Sequence, residues 1–391
     1  MSLNLPQVLP QVEALGREVA QQAAARPARL HAAQLAWQTA AAQGNEVLRA
    51  RVARAPAGWR GASPLDEAID SVHPAPQHPP RLRVLGADGS QIYPDRHALA
   101  HYYLINIGLI DYDHGSGQAP QARTHPLLGF SESDLYDRFG GAIDPGLVNA
   151  RRDLEELRAL AGQAPQGMAP ALALIDNTLL LWAAQPERER ARPEIAALLQ
   201  GYLEAMGRLQ AAGAALAGFI DRPGSAHLLA LLQLAAAAEG APAPPAETNP
   251  SRGLTDRELL AGRLRPGERS ACFELCSPLA QVYADAGHAL RFFYLHTGYQ
   301  DLIARVELPA WAAHDPQRLA WVHAGLVEQC RLTGVPYVLV RAHELALVAR
   351  ADREALEGQI GAALRGHGLD PRISQKALTK AWTAVRRRHQ L

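Results

Sequence analysis

The chain has 391 residues, 48% of them apolar, which is enough for a substantial core in one decorated domain or two and excludes wholesale disorder. Its 39 basic and 39 acidic residues cancel, so net charge advertises no polyanionic partner, and contact with nucleic acid would need a local basic surface. No apolar run approaches the roughly 20 residues of a membrane span, the first residues lack the pattern of a secretory signal, and three cysteines cannot build a disulfide framework; the expectation is a cytoplasmic protein with no membrane partner.

Residues 1 to about 55, rich in Ala, Gln, Leu and Arg at helical spacing, predict one or two amphipathic helices. A proline-rich stretch, "APAGWRGASPLDEAIDSVHPAPQHPP", separates this helical arm (residues 1–80) from a strand at about 82–88. A second strand follows in "ALAHYYLINIGLIDYD", and "FSESDLYDRFGG" reads as a loop. "DPGLVNARRDLEELRALAG" opens on Asp-Pro and spaces Leu147, Leu154, Leu157 and Leu160 as a helix does. "PALALIDNTLLLW" predicts a buried strand broken by Asp176, and a helix then leads to the strand "ALAGFIDRPGS". Helical text around 187–265 reads as an insertion that includes the loop "EGAPAPPAETNPSRG". Strands at "LRFFYLHT" and "DLIARVEL", a helix from about 315 to 333, and a last strand running into a helix in "VPYVLVRAHELALVAR" complete a main domain of 81–350. Residues 351–391 end in the basic helix "SQKALTKAWTAVRRRHQ". This mixture predicts an α/β domain with a mixed sheet.

Three acids stand out. In "RVLGADGSQIYPD", Asp88 ends an apolar segment on a Gly-Ser pair; read from the residues alone it is either a turn residue or a metal ligand. Asp176 lies among Leu174, Ile175 and Leu179, where a carboxylate costs several kcal/mol unless paired or bound to a metal. Glu156 lies on the preceding helix with Glu155 beside it, and either could serve an ordinary ion pair in "RRDLEELR". Together such acids could gather a hard divalent cation for phosphodiester hydrolysis. His343, expected at a helix start, could ligate a metal, shuttle a proton or merely bond the backbone. Asp221 and Arg222 follow a strand, where Arg222 could hold a phosphate or pair with Asp221. Arg152 and Arg386, Arg387 and Arg388 could contact a DNA backbone. Cys272 and Cys276 lack the second pair a zinc site needs, and no Walker A sequence is present, so any motor activity must come from a partner.

Seven segments in order, "GADGSQIYPD", "RRDLEELRAL", "LALIDNTLLLW", "GFIDRPGSAHLL", "LTDRELLAGRLRPGERSACF", "RFFYLHTG" and "VPYVLVRAHELALVAR", resemble the NurA family of nucleases, over about residues 82 to 350. The resemblance implies an RNase H-like mixed sheet core with flanking helices, a homodimer, a HerA-like hexameric ATPase as partner, and Mn²⁺-dependent cleavage of DNA, with Mg²⁺ as a second candidate ion. It implies metal ligation and catalysis by Asp88, Asp176 and Glu156 (Glu155 as the fallback), with His343 completing the site. Ser90 would orient Asp88 from behind, and Asp221 would play a similar supporting role. Typical members have Gly after the second Asp, where this chain has Asn177. The rival reading is a non-catalytic adaptor that docks onto the translocase, and a further one is an RNase H-like enzyme acting on RNA.

Overall fold

The computed structural model describes residues 4–95, 98–136, 140–165, 170–185, 193–237 and 250–369. In chain order it contains α1 (Leu5–Gln43), α2 (Asn45–Ala53), β1 (Gly61–Pro64), β2 (Val72–His73), β3 (Leu82–Ile92), β4 (Tyr103–His114) and β5 (Gln121–Gly129). Helices α3 (Glu132–Leu135) and α4 (Pro145–Gln163), strand β6 (Ala171–Asp176), helix α5 (Pro193–Ala211) and strand β7 (Ala215–Ile220) follow. Then come α6 (His227–Ala236), α7 (Asp256–Leu260), β8 (Arg269–Ser270), β9 (Phe273–Cys276), α8 (Pro278–Asp285), β10 (Leu290–His296) and β11 (Ile303–Pro309). Helices α9 (Ala310–Ala313), α10 (Pro316–Cys330), α11 (Tyr337–Ala346) and α12 (Arg350–Gly366) close the described chain.

The chain forms two compact units, one from residues 1–77 and 219–334, the other from 78–218 and 335–391. In the first, β1, β9, β10 and β11 pair antiparallel in that order, and β8 joins β10 to β2. Every residue of β10 and β11 is buried, including the charged Arg291, Arg305 and Glu307 that interrupt their apolar sequence. Arg305 and Glu307 pair inside that core at 2.8 Å.

In the second unit the strand order is β5-β4-β3-β6-β7. The three-stranded meander β3-β4-β5 is antiparallel, and α4 carries the chain to β6, which lies parallel to β3 from Arg83↔Ala171 to Ala87↔Ile175. A meander extended by parallel pairing beside its first strand is the RNase H-like core. Helix α4 forms where the sequence predicts it: Asp144 accepts from Gly146 N at 2.6 Å as N-cap, Pro145 fills the first helical position, and Val148, Leu154, Leu157 and Leu160 are buried.

Five departures from the expected elements are seen. Strand β3 does not end at Asp88 but runs on to Ile92, with Asp88 opposite Gly108 and Gly89 opposite Ile107. Gly89 is therefore no turn residue; a Cβ there would lie 2.7 Å from Arg152 Cγ and 2.8 Å from Glu156 Oε1, so its role is to admit α4. "YVLVRAHELA" is wholly helical: Val338, Leu339, Ala342 and Ala346 form a buried 3.6-period stripe that the β-branched run concealed. Strand β5, nearly all exposed along "QARTHPLLG", went unread because an edge strand with little burial has no alternating pattern. "SESDL" is a short helix with a Ser131–Asp134 capping box inside the expected loop, and the proline-rich stretch holds β1 and β2. The loop at 238–249 and the basic tail with Arg386, Arg387 and Arg388 lie outside the described residues.

Candidate active site

Helix α11 brings His343 to β3. It approaches the sheet closely because Gly86 and Gly108 present no side chains: a Cβ on Gly86 would lie 2.7 Å from Val338 Cγ2, and one on Gly108 would strike the carbonyl of Ala342. Strand alternation puts residues 86, 88 and 90 on that same face. Asp88 Oδ2 meets His343 Nδ1 at 2.6 Å, and Asp88 Oδ1 accepts from Gly89 N at 2.8 Å. His343 keeps 59% of its side chain exposed, against 14% for Asp88. Ser90 Oγ donates to Ala346 O at 2.5 Å, not to the Asp88 carboxylate, so Ser90 fixes the end of the helix that carries His343 rather than orienting the acid.

On the other face of β3, α4 delivers Glu156 against Gly89. Glu156 is buried, and its Oε1 has no hydrogen-bond partner. Burial pushes its carboxyl well above the usual range; Arg152 opposes the shift, and the charges of Asp153, Asp88 and Asp176 push further upward. Arg152 binds Asp153 Oδ1 through Nη2 at 2.8 Å and Gln91 Oε1 through Nη1 at 3.1 Å. Burial works against the Arg152 charge, but Glu156, Asp153 and Asp88 outweigh it and raise its pKa. Burial also raises Asp153, with Arg152 opposing. Asp153 escaped the sequence reading; its spacing of three from Glu156, on one helix face, was the available signal. Glu155 points elsewhere and pairs with Arg158 at 2.7 Å.

Asp176 is not inside a strand but is the last residue of β6, exposed at its end. Asn177 follows with φ 82°, the left-handed region where Gly is at ease and Asn is tolerated. Asp88, Ser90, Arg152, Glu156, Asp176 and His343 thus belong to one unit. Asp221 and Arg222 follow β7 in the other unit, and the ion pairs seen among the described residues do not include one between them.

Among the described residues no group of three or more His, Cys, Asp or Glu side chains is already arranged to hold a metal ion. The acids instead engage internal side chains, Asp88 the imidazole of His343 and Glu156 the guanidinium of Arg152. Their chemistry still fits a hard divalent cation: a buried carboxylate oxygen lacks a hydrogen bond, and three further carboxylates raise its proton affinity. Cys272 and Cys276, both pushed up to about 12 by burial, remain free thiols, as does Cys330.

A family model of the NurA domain matches residues 82–348, about two thirds of the chain. The chain belongs to the NurA domain family. No curated protein matches it significantly in sequence. Among solved structures it is similar to the NurA nuclease from Sulfolobus solfataricus, with 11% identity, 73% of this chain and 85% of that one covered, and a TM-score of 0.47. It is similar also to NurA with manganese (10% identity, 74% and 90% covered, TM-score 0.40) and to NurA bound to dAMP and manganese (12% identity, 75% and 90% covered, TM-score 0.33). The NurA match spans Asp88, Glu156, Asp176 and His343 together.

Proposed function

We propose that this NurA-family chain is a metal-dependent deoxyribonuclease in which Asp88, Glu156 and Asp176 hold Mn²⁺ or Mg²⁺ and His343 completes the site. The observation that carries this reading is the Glu156 carboxylate, buried with one oxygen unbonded and acted on by three further carboxylates. A stable fold alone has little use for that arrangement. When bound, the cation supplies activation of water and neutralisation of charge on the scissile phosphate. The side chains do the rest. Glu156 and Asp88 approach from opposite faces of β3. His343, held through Nδ1 and with 59% of its side chain exposed, keeps Nε2 to take or give a proton. Arg152, charged and half-buried beside the acids, is placed to counter a phosphate.

The finer reading is 5′-to-3′ exonuclease and single-strand endonuclease action on DNA ends in repair and recombination, as a homodimer driven by a HerA-like hexameric ATPase in the cytoplasm. Arg222 and Asp221 are supporting candidates at the substrate. The balanced net charge supports dependence on a partner for processive action. No described helix is long and apolar enough to cross a membrane.

The test is cleavage of end-labelled single-stranded DNA with Mn²⁺, Mg²⁺ or EDTA, beside Asp88→Ala. The expected result is metal-dependent cleavage that falls at least about 100-fold in the variant, a loss typical of removing charge stabilisation at a reacting centre. Cleavage that instead tracks the folded fraction of the variant would assign Asp88 a structural role. No cleavage by folded wild type, alone or with the ATPase, would support the adaptor.

A further inference from the structure

Arg152 lies against Glu156, but Glu156 is not what holds it there. Its guanidinium is gripped on its flanks: Nη2 donates to Asp153 Oδ1 at 2.8 Å and Nη1 to Gln91 Oε1 at 3.1 Å. Gln91 is itself tied down, since its Nε2 donates to the Tyr93 hydroxyl at 2.8 Å. That hydroxyl in turn donates to Asn149 Oδ1 at 2.6 Å, back on α4. A closed relay from α4 through β3 to α4 therefore positions Arg152 without help from Glu156. Gly89 leaves the room, because a Cβ there would meet both the Arg152 stem and Glu156 Oε1.

A guanidinium committed to one carboxylate donates two parallel hydrogen bonds to it. Arg152 instead gives Glu156 only its charge: Nε faces Oε1 at 3.1 Å, and neither atom makes a hydrogen bond. That charge lessens the cost of a buried carboxylate, yet the oxygen keeps its lone pairs free of any N–H. The charge of Asp88 acts on Arg152 as well, so this one cation answers acids from both elements. Arg152 keeps 28% of its side chain exposed, against 7% for Glu156, so the arginine borders solvent and the acid does not. A divalent cation on Glu156 Oε1 and a guanidinium at that same oxygen are like charges side by side. Each excludes the other.

We infer that Arg152 is an internal competitor of the metal: its guanidinium and a divalent cation claim the same place beside Glu156, and Arg152 gives way when the ion binds. The arginine thereby sets how much metal the site needs. It is a positioning residue in this role, and Gln91 and Asp153 are the grip it is released from. The inference rests on the metal-site reading of Asp88, Glu156 and Asp176.

The test is Mn²⁺ binding to the full chain without DNA, by isothermal titration calorimetry at fixed pH and ionic strength, so no cleavage enters the result. Arg152→Met is expected to bind Mn²⁺ about tenfold more tightly than wild type, equivalent to about 1.4 kcal/mol, because no guanidinium has to leave. A residue that only propped the acids in place would act oppositely, and its loss would weaken binding. Gln91→Leu keeps the charge but frees Nη1, and is expected to tighten binding about twofold. This second variant decides the matter should Arg152→Met not fold. Equal or weaker binding in Arg152→Met, or in Gln91→Leu where it stands in, would overturn the inference. Glu156→Gln is expected to lose the binding, and Mn²⁺ affinity that persists in it would place the ion elsewhere and overturn the inference too. Binding by neither wild type nor the other variants, all folded, would overturn the metal-site reading itself.

Discussion

Arg152 Nε stands 3.1 Å from Glu156 Oε1, one turn along the same helix, yet neither atom has a hydrogen-bond partner. The pair attracts by charge without the alignment of a bond. Glu156 therefore keeps a raised proton affinity even beside a guanidinium, because burial and three other acids outweigh that one cation. A carboxyl whose folded pKa is raised favours the folded state below its unfolded pKa of 4.5, and that contribution is lost as pH rises toward the folded value. Each pH unit in the window costs up to about 1.4 kcal/mol. Glu156→Gln should accordingly be more stable than wild type at pH 7, by a margin that shrinks toward pH 4.5, while cleavage is lost. Urea midpoints at pH 5, 6 and 7 check this.

Arg152→Met should behave oppositely. It leaves Glu156, Asp153 and Asp88 without their shared cation, a loss of about 3–5 kcal/mol for a broken buried pair. Mn²⁺ should recover part of that loss, because a ligand that binds only the folded chain stabilises it. Thermal melts of the variant with and without Mn²⁺ would show a larger metal-induced shift than wild type.

Asn177 adopts φ 82° at the turn after β6, and Gly218 packs so tightly there that a Cβ would lie 2.6 Å from Asn177 O. Asn177→Gly should stabilise by about 0.5–1 kcal/mol, and Asn177→Val should destabilise by at least about 1 kcal/mol. Denaturation midpoints of both variants, with unchanged slopes, are the measurement.

Gly86 and Gly108 form the floor under α11. Gly108→Ala would drive a methyl group into the Ala342 carbonyl, with an overpacking cost of about 1–3 kcal/mol. Because His343 lies on the following residue, activity should fall further than the loss of folded protein explains. Comparing specific activity per folded molecule with that of Gly16→Ala, an open position on α1, separates the two effects.

In the other unit, burial and then the Arg305 charge lower His227 to about 3; Nδ1 of its ring lies 2.9 Å from Arg305 Nη1. Between pH 6.5 and about 3 the unfolded chain binds a proton that the folded chain refuses, so stability present at pH 7 is lost as pH falls. His323, lowered to about 4 by burial, adds to the same slope. His227→Gln should show a shallower acid limb in urea midpoints between pH 7 and 4.5.

The elements with a strong local signal were legible. Helix α4 announces itself by cap, proline and apolar period, and β4 by its Tyr and Ile content. Asp88 and Asp176 stand out as acids in apolar text, Glu156 only as one of two acids on the helix between them, and the charges of Asp88 and Asp176 act on Glu156 in the fold. What could not be read is what depends on an absent side chain or a distant partner. Gly89 looks like a turn because nothing local reveals that α4 approaches it. Residues 337–340 look like a strand because their β-branched content outweighs, over four residues, a helical stripe that only becomes clear across ten. Asp153 looked like a surface acid because its neighbours along the chain are charged, and the burial that raises it comes from tertiary packing.

The contact between Asp88 and His343 joins positions 255 residues apart, and both units are closed by segments made after residue 218. During synthesis, β3 to β7 emerge long before the helix that covers Gly86 and Gly108. Until Val335 to Ala346 have left the ribosome, that glycine floor stays uncovered and the acids of β3 lack their imidazole. A chain cut short before this point therefore cannot bring Asp88 and His343 together, however complete its strands, and the nascent protein lacks that pair until helix α11 has been made.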